Sequence, residues 1–434
     1  MNDALKARFG TDAEIAAINR GTPARLAVLD SVRGLAAMIV VIHHCFLTQP
    51  AFSDFFFSIW QTPARNLLQY VLFYTPARIV WDGYEAVTLF YVLSGLVLTL
   101  PWVERRSPTY ISFSIKRIAR IYFPYYVAIL AAAALNAAFL PWADVPGASN
   151  WVTGMTWTNP VTAWTFVDHA IMYGHRISVN GAIHSLIWEM RVSLLFPILI
   201  FPIVRFRAGG AAAVVASLVA FIVVLQLAVS GGFNAVNVGF NGEYALLGSD
   251  AEHGMLGKIA YEVQWTAYYA CFFVAGSLVA LYLEPIRRWL ASIPAWARLT
   301  LLVSGLLVFQ EHWSRIHALQ ETMVAVGSVI VIVAALSAGS IERVLLCRPF
   351  QFLGRISYSL YLVHVPLILT AVILLQAVPL WALLIIIPPA AILLGWLFHI
   401  TISAPCARLG QRVAKQFEHR RVVAPPSLNI AETH

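Results

Sequence analysis

An all-α polytopic integral membrane protein, a helical bundle of about ten transmembrane helices, is the fold class that three features of the sequence predict. The chain of 434 residues is 60% hydrophobic and only 12% charged. Apolar runs of about twenty residues, each long enough to cross a bilayer as a helix, recur along nearly its whole length. Runs such as "LFYVLSGLVLTL" are continuous, which excludes the alternating pattern of barrel strands and leaves helices as the spanning elements.

The first 26 residues mix Lys6, Asp12, Glu14 and Arg20 without an apolar core, so no cleavable signal peptide is expected and the first helix stays as an anchor. Three parts follow: a cytoplasmic segment over 1–27, a membrane domain over 28–403, and a cytoplasmic tail over 404–434. Hydropathy places the spans near residues 29–48, 84–103, 121–140, 183–204, 211–229, 262–283, 299–312, 322–340, 357–375 and 381–402, of which 299–312 is the weakest. With the N-terminus inside, 23 of the 29 Lys and Arg residues fall in inner segments. The outer loops keep only Arg65, Arg78, Arg176, Lys258 and Arg315, and Arg191 lies within a span. That asymmetry puts both termini in the cytoplasm of a multi-pass inner (plasma) membrane protein. It also accounts for the +8 net charge, so nucleic acid is not needed as a partner and the bilayer is the expected one.

Three expected outer loops are long: residues 49–83, 141–182 and 230–261. The second carries Trp142, Trp151, Trp157 and Trp164, which read either as an interfacial aromatic belt or as a platform for a sugar ring, and "TAWTFVDHAIMYG" within it could form a short re-entrant helix. Cys45 and Cys271 lie in apolar runs and Cys347 and Cys406 in basic loops, so no disulfide framework is implied. No internal repeat or appended soluble domain is evident.

Ionisable groups are costly in hydrocarbon, and those inside spans mark candidate sites. Along one helix, Arg33 and His44 differ by about 20° around the axis and about 16 Å in height, whereas His43 points about 80° away. The first span therefore carries a cation and an imidazole on one face, with His43 read as a packed neighbour. "SIKRIARIYFPYY" places Lys116, Arg117 and Arg120 at the inner mouth of the third span, with Arg117 and Arg120 one turn apart. Arginine forks suit phosphates; a topology signal or lipid headgroup contact is the plainer reading. "HSLIWEMRVSLLFP" puts Glu189 near the outer end of the fourth span, where it could orient or charge His44, or instead form an ion pair with Arg191 or Arg33.

These segments, with "LDSVRGLAAMIVVIHH", "DGYEAVTLFYVLSGLVLT" and "FLGRISYSLYLVHVPLI", resemble in order and spacing the membrane acyltransferase-3 family from residue 28 to about 370. The family's arginine–histidine motif matches Arg33 and His44, its arginine pair Arg117 and Arg120, and its serine-leucine and glutamate block Ser185, Leu186 and Glu189. His184 stands where a tryptophan is usual, and Val192 and Ser193 replace the usual aromatic pair. The resemblance implies an O-acyltransferase that moves an acyl group, commonly acetyl from acetyl-CoA or another acyl-CoA, to a hydroxyl of a saccharide, surface glycan or related small acceptor. No metal is implied. Arg117 and Arg120, with Arg33, would hold the CoA phosphates; His44 would be base or transient acyl acceptor; Glu189 would orient it. Ser94, Gly95, Ser357, Tyr358 and His364 read as helix packing. A saccharide or lipid transporter is the rival class, disfavoured by the lack of paired Gly/Pro-broken spans in matching halves.

Overall fold

The computed structural model describes residues 24–57, 64, 66–104, 108–142, 145–155, 157, 160–173, 179–230, 254–310, 317–337, 339–376 and 378–422. No strand occurs among them. The bundle is built, in chain order, from α1 (Ala24–Leu47), α2 (Gly83–Val103), α3 (Tyr110–Arg117), α4 (Phe123–Phe139), α5 (His184–Ser230), α6 (Gly254–Leu281), α7 (Ala295–Phe309), α8 (His317–Ala335), α9 (Arg348–Leu374), α10 (Leu380–Phe398) and α11 (Ala404–Val422). Among the described residues, seven helical stretches are long and apolar enough to cross a membrane: Leu26–Leu47, Gly83–Val103, Tyr110–Trp142, Gly181–Leu225, Ile259–Leu281, Arg348–Leu374 and Trp381–Glu418. The expected spans 183–204 and 211–229 both lie in α5, which breaks at Arg207 (φ 55°, ψ −129°). There Gly210 packs so closely on the Pro202 carbonyl that a side chain would overlap it, so the chain turns back within a few residues. The short α7 and α8 occupy the expected spans 299–312 and 322–340 and pack on each other.

Two boundaries differ from expectation. Helix begins at Tyr110 rather than near 121, because Thr109 caps α3 through the Ser112 N–H and the chain passes into α4 without leaving helix. Arg117 and Arg120 therefore lie about two and three turns inside a continuous helix, not at its mouth. The expected tail is helical over Ala404–Val422 and docks on α3 and the turn that follows it: Gly410 meets Ala119, and Glu418 accepts from Ser112 Oγ at 2.5 Å and Lys116 Nζ at 2.8 Å. The first two long loops contain the short helices Pro50–Phe57, Leu67–Tyr74, Asn150–Met155 and Ala163–Ala170. Most of the third loop, the N-terminal segment through residue 23, the end of the tail, and Arg65, Arg176 and Arg315 lie outside the described residues.

Helices α1, α2, α6 and α9 form the centre, while α5 and α10 turn apolar side chains such as Ile198, Phe201, Ile385 and Leu393 outward, as lipid requires. At the crossing of α1 and α9, the backbone of Gly354 leaves no room for a side chain at Gly34, and that of Asp30 leaves none at Gly354. Ser31 Oγ donates to Leu345 O at 2.6 Å and Gln351 Nε2 to Ala27 O at 2.8 Å, fixing the same end. From this crossing the two helices run parallel in register, so that ten residues on, about 15 Å along the axis, His44 faces His364. Gly34→Val is expected to push these helices apart, at a cost of at least about 1–3 kcal/mol. Size-exclusion chromatography in detergent should show loss of the monodisperse protein, and a wild-type profile would refute the crossing.

Candidate active site

The first cluster sits on the register of α1 and α9. His44 Nδ1 is 3.0 Å from His364 Nε2, and His364 Nδ1 is 2.7 Å from the Tyr361 carbonyl. A carbonyl can only accept, so His364 carries its proton on Nδ1 and offers the lone pair of Nε2. His44 must then donate from Nδ1, and its Nε2 keeps a lone pair. The half-buried His44 ring also lies 5.2 Å from that of Trp151. His43 is buried on another face, where Nδ1 donates to the Trp81 carbonyl at 2.8 Å and the ring stacks on Trp81. Helical geometry had separated these two histidines correctly.

The second cluster surrounds the arginine pair. Pro124 has no N–H to offer Arg120, four residues earlier, and its ring crowds that carbonyl. The helix widens into a π-turn over Ile118–Tyr122, with the Phe123 N–H reaching back to Ile118 O. The Tyr358 hydroxyl takes up the Ile121 carbonyl at 2.7 Å. Such turns recur at functional sites, and this one carries Arg120. Arg117 Nη2 donates to Ser193 Oγ at 3.0 Å, while its Nε is buried and meets no protein partner among the described residues. Ser193 is one of the two departures from the family's aromatic pair, and it serves here as the support of Arg117. Arg33 is paired to Asp30 at 3.0 Å, and both Arg33 and Glu189 act electrostatically on Arg117 and Arg120. The sequence-selected cations therefore form one group.

Polar contacts join the two clusters. Ser94 Oγ donates to Glu189 Oε1 at 2.9 Å, the Tyr91 hydroxyl donates to Ser185 O at 3.0 Å, and Ser185 Oγ shares a hydrogen with the Tyr361 hydroxyl at 2.7 Å. Tyr361 in turn holds His364 through its carbonyl. This corrects the expectation for Glu189: it does not touch His44 among the described residues, but accepts from Ser94 and acts electrostatically on Arg117 and Arg120. Its alternative, an ion pair with Arg191 or Arg33, does not form either. Arg191 pairs with Glu262 at 2.7 Å and holds the carbonyls of Met172 and Tyr173, both at 2.8 Å, while His184 stacks on Trp188. The partner of His44 is His364, which the sequence reading had set aside as packing.

A buried network of polar contacts thus runs from a cluster of arginines to an imidazole pair inside a bundle of membrane helices, where ionisable groups mark a functional site. The family model for the acyltransferase domain of the acyltransferase-3 family matches residues 26–404, nearly the whole chain, and the chain belongs to that family: it is a membrane acyltransferase. No match was found among curated proteins or among solved structures. Neither the fold nor the family match supports the transporter alternative.

Proposed function

We propose that the protein is an O-acyltransferase that moves an acyl group, acetyl in the simplest case, from acyl-CoA to a hydroxyl of a saccharide or surface glycan across the plasma membrane. The observation that carries this reading is the buried polar network, with a guanidinium nitrogen of Arg117 that meets no protein partner among the described residues at one end and the His44 imidazole, unprotonated at Nε2 when Nδ1 donates to His364, at the other. Arg117 and Arg120, with Arg33, suit the phosphates of the donor, since a guanidinium fork binds phosphate oxygens in pairs. The roughly 16 Å from Arg33 to His44 suits a donor whose reactive thioester sits at the end of a long, thin arm. Glu189, Ser94 and Ser185 line the way with groups for the amides of such an arm.

At the far end, His44 Nε2 takes the proton of the acceptor hydroxyl as its oxygen attacks the thioester carbonyl. The carbon–sulfur bond then breaks and the thiolate leaves with the proton from His44. Both nitrogens carry a proton only transiently, and His364 shares that charge through Nδ1. Radiolabelled acetyl-CoA incubated with purified protein, with and without a cell-envelope glycan extract, tests the reading: label should pass to the glycan only when protein is present, and no transfer despite donor binding would refute it.

The charge tally supports both termini in the cytoplasm. In single-cysteine variants a membrane-impermeant maleimide should label position 150 from outside and position 415 only after the membrane is opened. Labelling of both from outside would reverse the orientation.

A further inference from the structure

Near His44, on the short helices Pro50–Phe57 and Asn150–Met155, lies a cavity of about 500 Å³ lined by Asp54, Phe57, Asn150, Trp151, Gly154 and Met155. We propose that this cavity is the acceptor subsite and that it takes a saccharide ring. The inference rests on the saccharide reading above and adds the place where that acceptor docks.

The cavity walls are tied to one another and to the helix that bears the imidazole. Ser149 Oγ donates to Leu47 O, at the end of α1, at 2.6 Å; the Trp151 N–H donates to Ser53 Oγ at 3.3 Å; and Asn150 Nδ2 donates to Asp54 Oδ1 at 2.9 Å. Trp151 belongs to both places, since it lines the cavity and its ring centroid stands 5.2 Å from that of His44. The cavity therefore adjoins the residue that packs against the base. The volume lies within the roughly 300–1,000 Å³ of small-molecule sites. The lining is of two kinds. Asp54 and Asn150 present a carboxylate and an amide, which accept from and donate to hydroxyl groups, while Phe57, Trp151 and Met155 offer apolar surface for the carbon-bearing face of a ring. A sugar has both kinds of surface. The tail of a lipid alcohol would match only the second kind.

Gly154 gives a direct test, because a Cβ there meets nothing within 4 Å and a large side chain can enter the space without moving the backbone. Gly154→Trp is compared with wild type and with Trp164→Ala, a residue 70% exposed on the neighbouring helix Ala163–Ala170 and outside the cavity. Each purified protein is given radiolabelled acetyl-CoA and a cell-envelope extract split into aqueous glycan and organic lipid fractions. Label should enter the glycan fraction with wild type and Trp164→Ala. With Gly154→Trp the glycan concentration for half-maximal transfer should rise at least tenfold, while acetyl-CoA binding by calorimetry stays at the wild-type value and shows the variant to be folded. Unchanged half-saturation in Gly154→Trp would overturn the subsite while leaving the saccharide reading intact. Label in the lipid fraction alone, or in neither fraction despite donor binding, would overturn both. Loss of donor binding in Gly154→Trp would also count against the subsite, because it would show that the side chain enters packed structure and not free space.

Discussion

His44→Ala is expected to abolish acyl transfer, a loss of at least about a hundredfold, in protein that still folds and still binds acetyl-CoA. The lone pair of Nε2 is the group expected to take the acceptor proton, and among the described residues no other side chain is held in the same position by His364 and Trp151. His43→Ala should keep substantial transfer. Its imidazole is spent on the Trp81 carbonyl and ring, so its loss weakens packing at the base of α2 rather than the chemistry. His364→Ala should fall between them, losing tenfold to a hundredfold in kcat, about 1.4–2.8 kcal/mol, with the donor Kd unchanged. It removes the acceptor that selects the tautomer of His44 without removing the base. Single-turnover transfer of labelled acetyl, measured on variants shown by chromatography to be folded, separates the three. Equal losses in the His43 and His44 variants, or a fully active His364→Ala, would remove the imidazole pair from the mechanism.

The second large effect is expected at the arginines. Replacing Arg117 with Ala should raise the Kd for acetyl-CoA about tenfold to a hundredfold, the worth of one charge-assisted hydrogen bond at about 1.5–3 kcal/mol. The Arg117→Ala, Arg120→Ala double variant should bind more weakly still. Arg117→Lys should not restore binding, because an ammonium cannot both reach Ser193 and offer a second fork nitrogen to a phosphate. Calorimetric titration with acetyl-CoA and with dephosphorylated pantetheine distinguishes phosphate recognition from general damage: only the former ligand should lose affinity. Unchanged affinity in the double variant would reduce the pair to a signal for topology.

The spans were legible because burial in hydrocarbon imposes a pattern that composition cannot hide: continuous apolar runs bounded by basic segments. That His43 and His44 face different neighbours was legible because both lie on one helix, where angle and height follow from residue spacing alone. What spacing within a helix cannot give is the azimuth of one helix against another. Glu189 was matched to His44 because both are polar and lie in the same half of their spans, yet α5 presents Glu189 to Ser94 and the arginines. His364 was passed over because hydroxyls and lone histidines are common at membrane helix contacts. A signal was present: in α1 a glycine precedes the histidine by ten residues, Gly34 and His44, and α9 repeats the interval with Gly354 and His364. Two helices that cross at glycines and run parallel must bring such histidines together. The π-turn was also latent in the sequence, in the four-residue step from Arg120 to Pro124.

The parallel register of α1 and α9 sets a timetable for the newborn chain. His43 finds its partner Trp81 only 38 residues downstream, whereas His44 waits for a partner 320 residues away. At about 5–20 residues per second, the first contact can form within roughly 2 to 8 s of α1 leaving the ribosome, and the second only after roughly 16 to 64 s. The early contact thus locks the rotation of α1 against the start of α2 and commits the neighbouring imidazole to an empty side that α9 fills almost at the end of synthesis. Until then the nascent chain holds its cations and its imidazole, but the contact with His364 that sets which nitrogen bears the proton is missing, and a stalled or truncated copy never gains it.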